Sequence, residues 1–139
     1  MTIVRFHARR LFDGRAFIDD QVLTTIDGKI TGLDQDIHNV DYVAEGLVVP
    51  GYIDLQVNGG GGALFNDSPS VDNLKVIMAA HAKFGTTAMT PTLITDKVEV
   101  MQQAADAIAQ AINENVPGII GIHFEGPHLS VAKKGTHCA

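Results

Sequence analysis

Along the first 49 residues, apolar and polar positions follow one another in short runs separated by turn residues. Runs at 2–8, 16–18, 22–26 and 29–33 have the length and composition of strands. Asp13-Gly14 and Asp27-Gly28 fall between such runs. An Asp-Gly pair there predicts a hairpin, because glycine accepts the positive φ of a tight turn. Residues 34–39 are polar and read as a loop, and Tyr42-Val43 as one more short strand. The pattern predicts a small antiparallel sheet, and so few short strands bury too little to stand alone.

The rhythm changes at Val48-Val49-Pro50-Gly51. Residues 52–57 read as a strand and 58–62 as a glycine-rich turn. Residues 70–84 read as a helix whose apolar face is Val71, Leu74, Ile77, Met78 and Phe84, with Gly85 as its C-cap. A second strand follows at 87–94, weakened by Pro91. A second helix is expected over 96–113, with Asp96 and Glu99 as a capping-box-like start and Met101, Ala104, Ala105, Ile108 and Ile112 as its stripe. Pro117-Gly118 breaks it, and 119–125 reads as a third strand. Strand, helix, strand, helix, strand is a parallel α/β arrangement. Such sheets are covered on both faces, which two helices cannot readily achieve, so the sequence reads as interrupted after its third strand.

Composition narrows the classes. With 139 residues, 45% hydrophobic and 19% charged, the chain has the makeup of a globular domain rather than a disordered tail. A net charge of −6 argues against non-specific nucleic-acid binding. No stretch approaches the roughly 18 to 20 apolar residues of a membrane span. The N-terminus carries arginines within its apolar stretch and no cleavage site for a secretory signal. One cysteine, Cys138, excludes an internal disulfide framework. A cytoplasmic protein is expected.

Chemistry on a parallel α/β sheet gathers at the carboxyl ends of its strands. One such end is Asp54-Leu55-Gln56-Val57-Asn58 followed by Gly59 to Gly62. Alternation puts Asp54, Gln56 and Asn58 on one face, aimed either into a site or along a solvated edge. The glycines carry neither P-loop nor Rossmann spacing. The other end is His123-Phe124-Glu125-Gly126-Pro127-His128, where His123 and Glu125 share a face. A carboxylate among histidines suits a metal ligand or a general acid/base, or equally a hydrogen-bonded turn. His123, Glu125, His128 and His137 lie close in sequence but lack the spacing of a structural zinc site, so a partial site is expected. His81 reads as a packed or hydrogen-bonded histidine, His7 and His38 show no partner pattern, and the arginines 5, 9, 10 and 15 read as a solvated face.

Together these motifs resemble the N-acetylglucosamine-6-phosphate deacetylases of the amidohydrolase superfamily. Residues 50–59 resemble that family's first barrel strand, Pro91-Thr92-Leu93-Ile94-Thr95 the second, and 123–129 with Lys133-Lys134-Gly135-Thr136-His137 the third strand and its loop. Gly61 and His128 are small departures from the pattern. The resemblance implies an α/β fold: residues 1–49 as the N-terminal part of a small β domain, and 50–139 as the first β/α units of a (β/α)8 barrel. A complete barrel needs roughly 200 residues or more, so it is incomplete in this chain.

The same resemblance implies deacetylation of N-acetylglucosamine 6-phosphate to glucosamine 6-phosphate and acetate, by a cytosolic enzyme that is a homodimer when full length. It implies Glu125 as a ligand of a divalent metal ion, zinc foremost, and Thr136 and His137 as substrate contacts, with His137 polarising the amide carbonyl. Gln56 and Asn58 stand where relatives carry a His-x-His pair, which implies one metal rather than two. The family's other metal ligands and catalytic aspartate lie on later strands, so this stretch alone is expected to be inactive. Two rival readings stand beside this one: a non-catalytic interaction module, and an amidohydrolase acting on a cyclic amide, disfavoured by Gln56 and Asn58.

Overall fold

The computed structural model describes residues 1–135 and His137. They form two compact units, Met1–Pro50 and a second that begins at Gly51.

The first unit is a four-stranded sheet of β1 (Ile3–Phe12), β2 (Phe17–Ile26), β3 (Lys29–Asp34) and β4 (Tyr42–Val48), in the order β3-β2-β1-β4. In the β1–β2 turn, Asp13 Oδ1 accepts from the N–H groups of Arg15 and Ala16, both at 2.8 Å. Those two donors, Ala16 first, hold the Asp13 carboxyl below its ordinary pKa. Asp27 (φ +48°) and Gly28 (φ +79°) form the tight β2–β3 turn as the sequence predicts. The runs at 16–18 and 22–26 are a single strand, with Asp20 in the left-handed region between them.

The expectation of a purely antiparallel sheet is corrected by β4, which runs parallel to β1 with Phe6 opposite Tyr42 and Leu11 opposite Val48. Arg5 holds the returning loop. Its guanidinium donates to the carbonyls of His38 at 2.5 Å and Asp36 at 2.8 Å, and its backbone N–H donates to Asp41 Oδ2 at 2.8 Å. Arg5 is therefore a clasp rather than part of a solvated basic face. His7 also has a partner, with Nε2 3.2 Å from Asp20 Oδ1.

The second unit is mixed α/β. Its parallel sheet, in the order β5-β8-β9, consists of β5 (Tyr52–Val57), β8 (Thr86–Ile94) and β9 (His123–Glu125). A two-residue-per-strand hairpin, β6 (Gly59–Gly60) and β7 (Ala63–Leu64), follows β5. Helix α1 (Val71–Ala82) leads to β8, and α2 (Val98–Asn113) to β9. Ser70 caps α1, its side chain accepting from the Asn73 N–H at 3.3 Å. The core joins Val57, Phe65, Leu74, Ile77, Met89, Leu93, Ala104 and Ile108.

Four sequence expectations shift in this unit. The face of α1 is formed by Val71, Leu74, Ile77 and Met78, but the helix ends at Ala82, and Phe84, beyond it, is 82% exposed. The capping box of α2 does not form: Lys97 is the N-cap without a side-chain bond, and Asp96 lies outside the helix, bonded to the Lys97 N–H. The buried stripe of α2 is Ala104, Ala107, Ile108 and Ala111, rotated away from Ile112, which is exposed. β9 is also shorter than expected, with only an isolated bridge from Ile119 to Met89 upstream. Pro91, by contrast, sits buried within a continuous β8. The β5–β8 register shifts between Asp54 and Val57, next to the Val57–Pro91 pair, an irregularity of the kind at which a ladder tolerates proline's missing N–H.

Candidate functional site

The sheet order places β8 between β5 and β9, so Gln56 and Glu125 come from strands roughly 10 Å apart and meet across the middle strand. Gln56 Nε2 donates to Glu125 Oε2 at 3.2 Å. The other carboxylate oxygen, Oε1, is 3.4 Å from His137 Nε2. Glu125 is fixed at its backbone as well: β9 pairs it with Ile94, and the Thr95 hydroxyl donates to its carbonyl at 3.1 Å. A carboxylate from the end of β9 thus stands between an amide from the end of β5 and an imidazole from the following loop, and touches both.

The remaining sequence candidates divide. His123 shares the strand with Glu125, but its Nδ1 lies 3.2 Å from Thr92 Oγ1 on the buried part of β8. His128 lines a groove with Val98, Met101, Phe124 and Pro127 beside α2. Asn58 enters through its carbonyl, which accepts from the Phe65 N–H at 2.9 Å. Thr136 lies outside the described residues. His81, read as a hydrogen-bonded histidine, is one: Nε2 is 2.9 Å from the Gly59 carbonyl oxygen. A cleft of about 600 Å³ lies between the start of α1 and α2, where Asp72, Lys75, Asp106 and Glu114 share its walls; none of the cluster's residues lines it.

Sequence reasoning missed Asn66. Its side chain accepts from the Ile94 N–H at 3.1 Å, and its amide donates to the Ile94 carbonyl at 3.2 Å and to Asp96 Oδ2 at 3.0 Å. It thereby ties the segment after β7 to the carboxyl end of β8. No local signal marks this residue, because its partners lie about 30 positions away.

The donor chemistry suits a divalent cation. Glu125 offers a partly exposed carboxylate, and the Nδ1 atom of His137 is buried with no partner among the described residues. If Nε2 carries the proton toward Glu125, the free lone pair of Nδ1 points away from that carboxylate, so Glu125 is the one ligand this cluster directs toward a cation. A catalytic zinc takes three protein ligands, and no group of three or more His, Cys, Asp and Glu able to hold a metal is assembled among the described residues. The residues fit one wall of a metal site.

A parallel βαβαβ unit with a carboxylate, an amide and an imidazole gathered at its strand ends defines an α/β protein whose chemistry belongs at that edge of the sheet. Comparison with known proteins specifies it further. No family model matches the chain. Over 119 residues it is 57% identical to an N-acetylgalactosamine-6-phosphate deacetylase of Shewanella sp. (strain ANA-3), a match covering 80% of this chain and 30% of that protein. Over 105 residues it is 38% identical to the N-acetylglucosamine-6-phosphate deacetylase of Haemophilus influenzae, covering 76% of this chain and 27% of that protein. Its fold superposes on the crystal structure of N-acetylglucosamine-6-phosphate deacetylase from Pasteurella multocida with a TM-score of 0.85, at 30% identity, over 99% of this chain and 38% of that one. The chain matches, in sequence and in fold, the N-terminal portion of these amino-sugar-phosphate deacetylases, and it spans about a third of their length.

Proposed function

We propose that this chain is the N-terminal portion of a metal-dependent N-acetylamino-sugar-6-phosphate deacetylase. In that reading 1–49 is part of a small β domain and 50–139 begins a (β/α)8 barrel. The observation that carries the reading is Glu125, a carboxylate held at the end of a parallel strand between an amide and an imidazole. The 57% identity to a deacetylase supports it.

Glu125 would be a ligand of the divalent metal, zinc foremost. When bound, such an ion polarises a carbonyl and lowers the pKa of water. His137, beside Glu125, would have to turn a ring N–H to the amide carbonyl of the substrate to stabilise developing negative charge there. Thr136 joins it in contacting the sugar phosphate. Gln56 and Asn58 replace what would be a second pair of metal ligands with amides, which leaves a single-metal site. The whole protein is then a cytoplasmic homodimer acting on a small amino-sugar phosphate, and the 139-residue stretch is inactive without the ligands that later strands contribute. Among the described residues no helix is long and apolar enough to cross a membrane.

The sequence resemblance alone favours N-acetylglucosamine 6-phosphate as substrate. A second reading, N-acetylgalactosamine 6-phosphate, is favoured by the higher identity to the Shewanella deacetylase. The test is acetate release by the purified whole protein, loaded with zinc, from each of the two epimers. Hydrolysis of either supports a deacetylase, and the ratio of kcat/KM values selects the epimer. Release of acetate from neither overturns the proposal. Turnover by residues 1–139 alone, with full-length enzyme excluded, overturns the assignment of the missing ligands to later strands.

A further inference from the structure

We propose that Gln56 is a positioning residue, whose side-chain amide fixes the carboxylate of Glu125 in the orientation that receives the metal. The inference rests on the metal-dependent reading of Glu125 given above and adds a role for a residue that touches neither metal nor substrate in it.

Three features of the cluster lead there. The direction of the Gln56–Glu125 bond is settled by chemistry: a carboxylate accepts only, so the amide group facing Oε2 at 3.2 Å must be the NH2. Second, the bond links the two edge strands of the sheet, because β5 and β9 flank β8, and it does so between residues 69 positions apart. Third, both ends are anchored by their own backbones. The Gln56 N–H donates to Asp54 Oδ1 at 3.2 Å, and the Glu125 carbonyl accepts from the Thr95 hydroxyl at 3.1 Å. The Glu125 side chain, about a third exposed, has rotatable bonds beyond that anchor, and among the described residues its carboxylate is met by Gln56 and His137.

A neutral amide does this without a rival charge. A lysine or arginine in its place would neutralise the carboxylate that a cation needs, and an aspartate or glutamate would repel it at this distance. An amide orders the carboxylate and leaves its charge intact. Groups that orient metal ligands in this way commonly change metal affinity by 10–100-fold when removed.

The experiment compares the whole protein with its Gln56→Leu, Gln56→Met and Glu125→Gln variants. Zn²⁺ affinity is read by chelator competition, and the thermal midpoint is read on the metal-stripped proteins. Gln56 is exposed, so neither replacement should disturb the metal-free fold. The expected result is Zn²⁺ binding about 10–100-fold weaker in both Gln56 variants, with metal-free midpoints unchanged. Should Gln56→Leu lower the midpoint, Gln56→Met, which keeps an unbranched side chain of similar length, decides. Wild-type affinity in both Gln56 variants, alongside weakened binding in Glu125→Gln, overturns the positioning role alone. Unchanged Zn²⁺ affinity in Glu125→Gln overturns the underlying metal reading.

Discussion

His81 Nε2 lies 2.9 Å from the carbonyl oxygen of Gly59, which ties the last turn of α1 to the glycine turn that follows Gln56 and Asn58. The ring packs so closely that a Cβ on Gly60 would fall 2.9 Å from its Cδ2 and Nε2 atoms. Removing the bond by His81→Ala is expected to destabilise the protein by about 1–2 kcal/mol, in the range of one partly buried hydrogen bond. Gly60→Ala should be destabilising in the wild type and much less so in the His81→Ala background, because the clash partner is gone. A double-mutant cycle by urea unfolding checks this. Additive penalties would show that the two residues do not restrain each other.

Asn66 acts as a clip between the segment after β7 and Ile94, so Asn66→Ala is expected to cost about 1–3 kcal/mol at neutral pH. The same amide, followed by the Lys97 N–H, holds the Asp96 carboxyl below its ordinary pKa. A carboxyl whose folded pKa is depressed contributes stability above its unfolded pKa, and that contribution is lost as pH falls through the folded value. The penalty of Asn66→Ala should therefore shrink on acidification below the usual carboxylate range. Urea midpoints measured at intervals from neutral to acid pH test this, and a penalty independent of pH would separate Asp96 from the clip.

Phe65 is fully buried between the short hairpin and the helices, in the cluster that holds Leu74, Ile77 and Met89. Phe65→Ala is expected to lose about 3–5 kcal/mol, the transfer of the ring plus the cavity it leaves. Because that residue follows β7 directly, its loss should also loosen the loop carrying Asn58. Thermal unfolding with a Phe65→Leu control measures the first effect, and a loss below about 1 kcal/mol would mean the site collapses to refill the space.

Gly126 follows Glu125 with φ at +113°, a conformation that L side chains rarely adopt, and a Cβ there would meet the Thr95 hydroxyl oxygen. That hydroxyl is the donor to the Glu125 carbonyl. Gly126→Ala should cost at least about 1–2 kcal/mol in backbone strain alone. Adding Thr95→Ala should recover part of the steric share while leaving the strain. Thermal midpoints of the single and double variants provide the comparison.

Much of this architecture was legible because it is local. Val71, Leu74, Ile77 and Met78 recur at helical spacing and form the buried face of α1, and the Asp27-Gly28 turn appears where its φ requirements say it should. The ends of α1 and α2 were misread for a related reason. Phe84 keeps the helical period after the helix has stopped, and Asp96 looks like a helix-start acid while bonding to Asn66 instead. Long-range relations carried no sequence signal. The parallel docking of β4 depends on Arg5 gathering a loop some 30 residues away, and Asn66 has partners just as remote. At the site, alternation predicts which residues share a strand face but not which of them meet. That Gln56 reaches Glu125 while His123 turns to Thr92 follows from strand order and register, which periodicity does not encode.

The Arg5 clasp also orders events in time. Strands β1 to β3 are linked by short turns and can zip in succession, since hairpins of this size close within about 1–10 μs. The pairing of β4 with β1 must wait for a loop whose closing contact, Arg5 to Asp41, joins positions 36 residues apart. Chain entropy makes that closure the slower step. The fourth strand is therefore expected to be the last of the sheet to arrive, where the Arg5 contacts then hold its incoming loop.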